Sequence, residues 1–294
     1  MNTIERGDRA LNAFICFFLV IIGFVAIYPL YFVIISSISN PAYISRGEVL
    51  VLPKGLNVQA YIALFNDARI WRGYLNSLFY TAGNTLLNLA VTLPCAYALS
   101  RPTLPGRKAL FIFFILTQYF RGGTVPTYLL MADMKLLNTI WIMLLPHGIT
   151  TFNLIIAKNY FEGNIPESMY ESARIDGSSN TRFFISFVLP LSKPITAVLA
   201  LFFAISKWNS YFEPMLYIQD TKIQSLQVII RSITANLDSS VVESLDPGAV
   251  SIIMQRQQLM KYAVVVVSVI PLMLLYPFIQ RYFITGIMVG SVKE

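Results

Sequence analysis

PESMYESARIDGSSNTRFFISFVLP, residues 166–190, decides the fold, because here a soluble-looking helical hairpin interrupts an otherwise apolar chain. Pro166 suits the first turn of a helix, Glu167 suits its positive N-terminal end, and Gly177 suits a left-handed terminator. Ser178 or Ser179 can then cap a second helix that runs through Phe183, Phe184 and Phe187 towards Pro190. The first helix would be only about 16 Å long at about 1.5 Å rise per residue. That is too short to cross a bilayer and the right size for a knob held against another protein.

Outside the hairpin the chain reads as an integral membrane protein. Of its 294 residues 56% are hydrophobic and 13% charged, and the mean hydropathy is +0.62. The net charge of +7 does not point to nucleic acid, since the basic residues sit between and at the ends of apolar segments, where lipid headgroups and topology account for them. Cys16 and Cys95 fall inside apolar segments without a C-x-x-C or a neighbouring His, so they read as packing residues. The first apolar run is much longer than a signal-peptide core and is expected to remain as an anchor.

A crossing needs about 20 apolar residues, and six segments qualify: Leu11–Ser36, Tyr74–Leu99, Ala109–Met131, Ile140–Tyr160, Leu189–Phe212 and Tyr262–Thr285. The expected fold is all-α, a polytopic membrane protein with six transmembrane helices in one domain over 1–294 and a hairpin at about 164–188 between the fourth and fifth. The loop 100–108 carries Arg101, Arg107 and Lys108 with no acid, which by the positive-inside rule makes it, both termini and the hairpin cytoplasmic. The long segment at about 214–260 is then expected on the outer face.

In the third span Arg121, Gly122, Gly123 and Pro126 would break or re-enter a helix at membrane depth, which is tolerated only inside protein or beside a wet cavity. Tyr119, Arg121 and Tyr128 are therefore candidates for a pathway lining, together with Gln118 and Thr124. Arg121 has two open readings. It lines the pathway and favours a negatively charged sugar such as a uronate-containing oligosaccharide, with Tyr119 and Tyr128 as stacking faces, or the helix ends near Phe120 and the cation reaches the outer interface or a second chain. Lys207, Trp208, Asn209 and Tyr211 end the fifth span, where aromatic belting and lysine snorkelling compete with sugar stacking. Asn153, mid-span, reads as interhelical glue or a ligand, and His147, the only histidine, as a packed residue.

E-S-A-R-I-D-G-S at 171–178, followed by Phe184 and Leu189-Pro190, resembles the E-A-A-x-x-D-G-A loop of ATP-binding-cassette importer permeases, with Ser172 and Ser178 where that family usually has Ala. R-G-G-T-V-P-T-Y-L-L at 121–130, F-N-L-I at 152–155, W-N-S-Y-F at 208–212 and G-I-M-V-G at 286–290 are similar to the carbohydrate-type permeases, and most to those carrying oligosaccharides. The resemblance implies a multi-pass subunit of a bacterial cytoplasmic (inner) membrane, paired with a second permease subunit. It also implies two cytoplasmic ATPase subunits that bind ATP and Mg, an extracytoplasmic sugar-binding protein, and a tail from Gly286 to Glu294 against the ATPase pair. This chain itself is expected to bind no cofactor and no metal, and to be no enzyme.

The residues of the hairpin fit that role. None of the 15 glycines is followed by Lys, so the G-K-[ST] of a phosphate-cradling loop is absent and energy must come from a partner. A stripe of Ile165, Met169 and Ala173 backed by Phe184 is expected to seat in the partner's groove, with Glu171 docking beside it. Asp176 is expected to cap the following turn, and Gly177 to supply a positive φ. With Ser172 and Ser178 these residues form the candidate ATPase-coupling set. A membrane-embedded hydrolase would need paired His or clustered carboxylates, which are missing. A stand-alone channel would need no such hairpin and would usually carry acids in its spans, which here avoid them.

Overall fold

The computed structural model describes residues 6–120, 122–146, 148–234, 253–255, 257–274 and 277, and every regular element among them is helical. They fall into two compact units, one built on the described residues of 1–70 and 230–270, the other on those of 71–229 and 271–294. The tail from Gly286 lies outside the described residues, as do Arg121, His147 and residues 235–252.

In the first unit α1 (Arg6–Ser37) matches the expected first span and exposes Phe14, Phe17, Phe24 and Ile27 around its circumference. A helix apolar on every side belongs in lipid or against other protein. It is followed by α2 (Pro41–Ser45), capped by Asn40 Oδ1, which accepts from Ala42 N at 3.0 Å, and by α3 (Gln59–Asn66). The Ile253–Leu274 helix packs here, with Tyr262 edge-on to Phe32 at 6.2 Å and Ser45 Oγ donating to Gln258 Oε1 at 2.8 Å. After α3, Asp67 and Arg69 pair at 2.7 Å, and the hydrogen bond from Arg69 holds the Asp67 carboxyl below its usual range.

The second unit is organised by α4 (Ala68–Ser100), which contains the expected span Tyr74–Leu99. Its Ser77, Thr81, Asn84, Asn88 and Thr92 are buried at spacings of three and four, so one face of an otherwise apolar helix is polar. Gly83 on this helix leaves room for Leu144, whose Cδ2 would stand 2.8 Å from an added Cβ. The chain's main core gathers Leu93, Ala96 and Tyr97 of α4 with Leu154, Ala157, Phe161, Ala173, Phe183, Val188 and Leu199 from later elements.

Three of the expected spans are not single helices. The third is α5 (Arg107–Tyr119) and α6 (Thr124–Asp133), broken by Gly122 and Gly123 as their sequence suggested, with Gly123 at φ +87°. The fourth was expected as one helix over Ile140–Tyr160. It is instead α7 (Trp141–Leu144) and α8 (Thr151–Asn164), parted around Pro146, which lacks an N–H, and Gly148.

The fifth was expected as one helix over Leu189–Phe212 and is also broken. After α9 (Glu167–Ile175) and α10 (Asn180–Phe183) comes a π-helical turn at Phe184–Val188, then α11 (Leu189–Leu191) and α12 (Lys193–Trp208). Pro190 and Pro194 each remove a donor on either side of Ser192, and there the axis bends by 81°. Phe212 opens a separate helix, α13 (Phe212–Tyr217), ahead of α14 (Leu226–Thr234). By length and composition two described helices, Leu11–Ser37 and Ile253–Leu274, can cross a membrane, and a third crossing follows if the bent pair counts as one.

Candidate functional site

α9 closes with the hydrogen bonds of a Schellman cap. Gly177 N donates to Arg174 O at 3.0 Å and Ser178 N to Ala173 O at 2.9 Å, with Gly177 at φ +76°. Ser179, not Asp176, caps the next helix, since its Oγ accepts from Arg182 N at 3.2 Å. Asp176 is itself the C-cap of α9, its backbone N–H donating to Ser172 O at 3.2 Å. Tyr170 OH and Asn180 Oδ1 tie the two arms at 2.7 Å, and Ser172 Oγ donates to Ser168 O.

The stripe Ile165, Met169 and Ala173 does not face a partner. It packs into this chain's own core with Phe183 and Phe184, because a nine-residue helix needs an apolar seat to hold its place. The face left outward holds Ser168, Glu171, Ser172 and Ile175, spaced by three, four and seven residues. Ile175 is 86% exposed, an apolar side chain with polar neighbours.

The basic loop after α4, read from sequence only as a topology signal, clasps this hairpin. Arg101 pairs with Glu167 at 3.2 Å, and its guanidinium carbon lies 4.3 Å from the Tyr170 ring centroid and 5.4 Å from that of Tyr97. Arg107 pairs with Glu162 at 3.1 Å, and Glu162 also binds Lys158 of α8 at 2.7 Å. The acids at 162 and 167, each facing a base of loop 100–108, were a legible signal for this. The pairing needed the fold to be seen.

The expected pathway residues do not form one site. Tyr119 is exposed at the end of α5, and Tyr128 stacks on Tyr217 at 6.0 Å, where burial and then the charge of Glu213 raise the Tyr217 hydroxyl above the usual phenol range. Asn153 is buried in α8. Trp208 is not a belt residue: it is 3% exposed and packs on Tyr74 at 5.9 Å. Lys207 does not snorkel, with a side chain 7% exposed and Nζ 3.7 Å from Glu213 Oε2. Asn209 and Tyr211 do meet, in a cavity of about 420 Å³ that also takes Asn84, Asn88, Thr150, Lys207 and Glu213. The α4 carboxamides were missed in the sequence. Their signal was the polar spacing 77, 81, 84, 88 and 92 inside an apolar run.

No family model matches the chain. Among curated proteins it is 35% identical, over 97% of its length and 99% of the relative's, to the polygalacturonan/rhamnogalacturonan transport system permease protein YtcP of Bacillus subtilis (strain 168). It is 34% identical, over 98% and 96%, to protein LplC of the same organism. The chain belongs to the permease subunits of sugar ABC importers. Among solved structures, this permease superposes with a TM-score of 0.84 and 30% identity on a bacterial ABC transporter involved in the import of the acidic polysaccharide alginate, covering 96% of this chain and all of that one. Such permeases are transport components.

Proposed function

We propose that this chain is one half of the translocation pathway of an ATP-driven oligosaccharide importer, working by alternating access, with α9 as the element that docks on the ATPase. It pairs with a second permease chain, two ATPase subunits that bind ATP and Mg, and an extracytoplasmic sugar-binding protein. In this reading there are six crossings, several of them broken, which puts both termini on one side, and the basic loop 100–108 favours the cytoplasmic side of the inner membrane for them and for the hairpin, with the segment after Pro214 outside.

The observation that carries this is the two-sidedness of α9. Ala173 and Met169 are anchored in the core while Glu171, Ser172 and Ile175 stand outward beside the Gly177 turn, so a push on one side moves the other. Cysteine placed at Ile175 should cross-link to the ATPase in the assembled importer, and cysteine at Thr103, exposed on the clasping loop, should do so far less. An equal yield from both would remove α9 as the docking element.

For substrate we favour a uronate-containing oligosaccharide. Two relatives named for polygalacturonan and for the acidic polysaccharide alginate support it, and Arg121 is the sequence's candidate for reading the charge.

A further inference from the structure

A cavity of about 650 Å³ lies between the end of α4, the basic loop 100–108 and the hairpin arm that leads into the π-helical turn. Its walls are apolar: Pro94 and Ala98 of α4, Leu104 and Pro105 of the loop, Phe184 and Ile185 of the turn. Phe184 is seated against Tyr97, ring centroids 5.2 Å apart, which fixes one wall. Ile185 is 57% exposed and Pro94 is exposed as well, so the cavity offers water an apolar surface.

The rest of the lining is polar. Thr103 and Thr181 bring hydroxyls, and because Tyr170 OH donates to Asn180 Oδ1 at 2.7 Å, the Asn180 amide presents Nδ2 as a donor. Arg101 is the only charged side chain among the described lining residues. Its Nη1 is held by Glu167 at 3.2 Å and its guanidinium lies over the Tyr170 ring, while Nη2 is buried with no hydrogen-bond partner among the described residues. Arg101 is 9% exposed, and a buried cationic N–H without an acceptor costs free energy until one reaches it.

Two chemistries therefore meet in one space. A soluble anion would pair with Nη2 and leave Pro94 and Ile185 wet, whereas a hydrocarbon would cover these and leave Nη2 unpaired. An anionic amphiphile does both. We infer that this cavity holds an anionic phospholipid of the cytoplasmic leaflet. A phosphate oxygen accepts from Arg101 Nη2, with Asn180 and the two threonine hydroxyls as further donors, and an acyl chain lies along Pro94, Ala98, Leu104 and Ile185. Arg107 and Lys108, on the same loop with no acid among residues 100–108, favour a negative headgroup there. The lipid thereby touches both the loop and the hairpin, the two pieces that Arg101 joins. The inference rests on the proposed placement of loop 100–108 at the cytoplasmic membrane surface, which labelling of Thr103→Cys from outside tests separately.

The test is native mass spectrometry of the complete importer, taken from membranes of phosphatidylglycerol or of phosphatidylcholine and washed in detergent. The wild type is expected to retain phosphatidylglycerol. Ala98→Phe, which fills the cavity from the half-buried α4 wall and leaves Arg101 in place, is expected to retain one lipid fewer, with the occupancy of that lipid down by about five- to tenfold. Arg101→Gln is expected to lose the same lipid. Equal retention in the wild type and Ala98→Phe overturns the site. Phosphatidylcholine held as well as phosphatidylglycerol overturns recognition of an anionic headgroup, and displacement by excess inorganic phosphate assigns the site to a free anion and overturns the lipid. Loss of sugar uptake with retention unchanged from these expectations counts against the importer reading and leaves the lipid site standing.

Discussion

The guanidinium of Arg101 lies over the ring of Tyr170, 4.3 Å from its centroid, and grips Glu167 one turn earlier on α9 at 3.2 Å. One side chain thus binds the end of α4 to the first turn of α9 from two directions. A flat, forked cation does this and an ammonium does not. Arg101→Gln is expected to destabilise the hairpin by about 1–3 kcal/mol, since Glu167 is partly exposed and the stacking carries much of the contact. Arg101→Lys should recover little of this. The measurement is sugar uptake per ATP hydrolysed. A fall in this ratio with intact assembly supports Arg101 as the positioning residue for α9, and wild-type coupling in Arg101→Gln sinks it.

Gly177 is the second fixed point. Nothing stands within 4 Å of where its Cβ would be, so a substitution meets only the backbone problem of φ +76°. Gly177→Val should cost about 1 to 3 kcal/mol and displace α10, lowering transport and sugar-stimulated ATPase while the protein still inserts. Gly177→Asn, which tolerates the left-handed region, should recover most of the activity. Equal activity in Val and Asn variants would falsify the role of the turn.

These two residues show how far the sequence could be read. The α9 boundaries, the left-handed Gly177 and a serine cap were legible because each is set by interactions within about a dozen residues. The break after α5 was legible for the same reason, from Gly122 and Gly123. Periodicity showed that Ile165, Met169 and Ala173 share a face, but a face has two possible destinations, and only the packing of Phe183 and Phe161 shows that this one turns inward. Arg101 looked like a topology signal because its partners lie 66 and 69 residues away in sequence, at Glu167 and Tyr170. Hydropathy averaged over 20 residues also hid the interruptions at Pro146 and Ser192, which are local losses of backbone donors within apolar runs.

If the outward face of α9 meets the ATPase, Ile175 is its apolar anchor and Glu171 its charge. Ile175→Asp should uncouple ATP hydrolysis from uptake by at least tenfold, consistent with the weight that single anchors carry in interfaces. Glu171→Lys should weaken assembly more at low than at high salt, because an exposed charge is screened within about 10 Å at 0.1 M. Affinity of the detergent-solubilised permease pair for the isolated ATPase reads both. Ile175→Asp that binds and couples as wild type assigns contact to another surface.

The proposed six-crossing arrangement predicts which loops are reached from outside. Cysteine at Thr103, on the basic loop, should resist a membrane-impermeant reagent in intact cells, and cysteine at Ser240 should react. Labelling of Thr103→Cys from outside would invert the orientation and place α9 away from any cytoplasmic ATPase.

Gly83 tests whether the polar face of α4 is held by close packing. Leu144 ends the short α7, and its carbonyl accepts from Asn84 Nδ2 at 2.9 Å while its side chain lies against Gly83. A Cβ there would meet Leu144 Cδ2 at 2.8 Å, a contact that the mobile end of a leucine can relieve, so Gly83→Ala should be nearly silent. Gly83→Phe cannot be relieved in this way. It should push α7 off α4 at a cost of about 1–3 kcal/mol, break the Asn84 bond, and shift the unwound segment that follows. Thermal unfolding of the purified complex should fall, and transport should fall further than stability alone accounts for when both are compared with a Leu199→Ala control in the main core. If Gly83→Phe and Leu199→Ala lie on one line of activity against stability, the α4–α7 contact is ordinary packing. If Gly83→Phe lies below that line, the contact positions the described residues after α7 for transport.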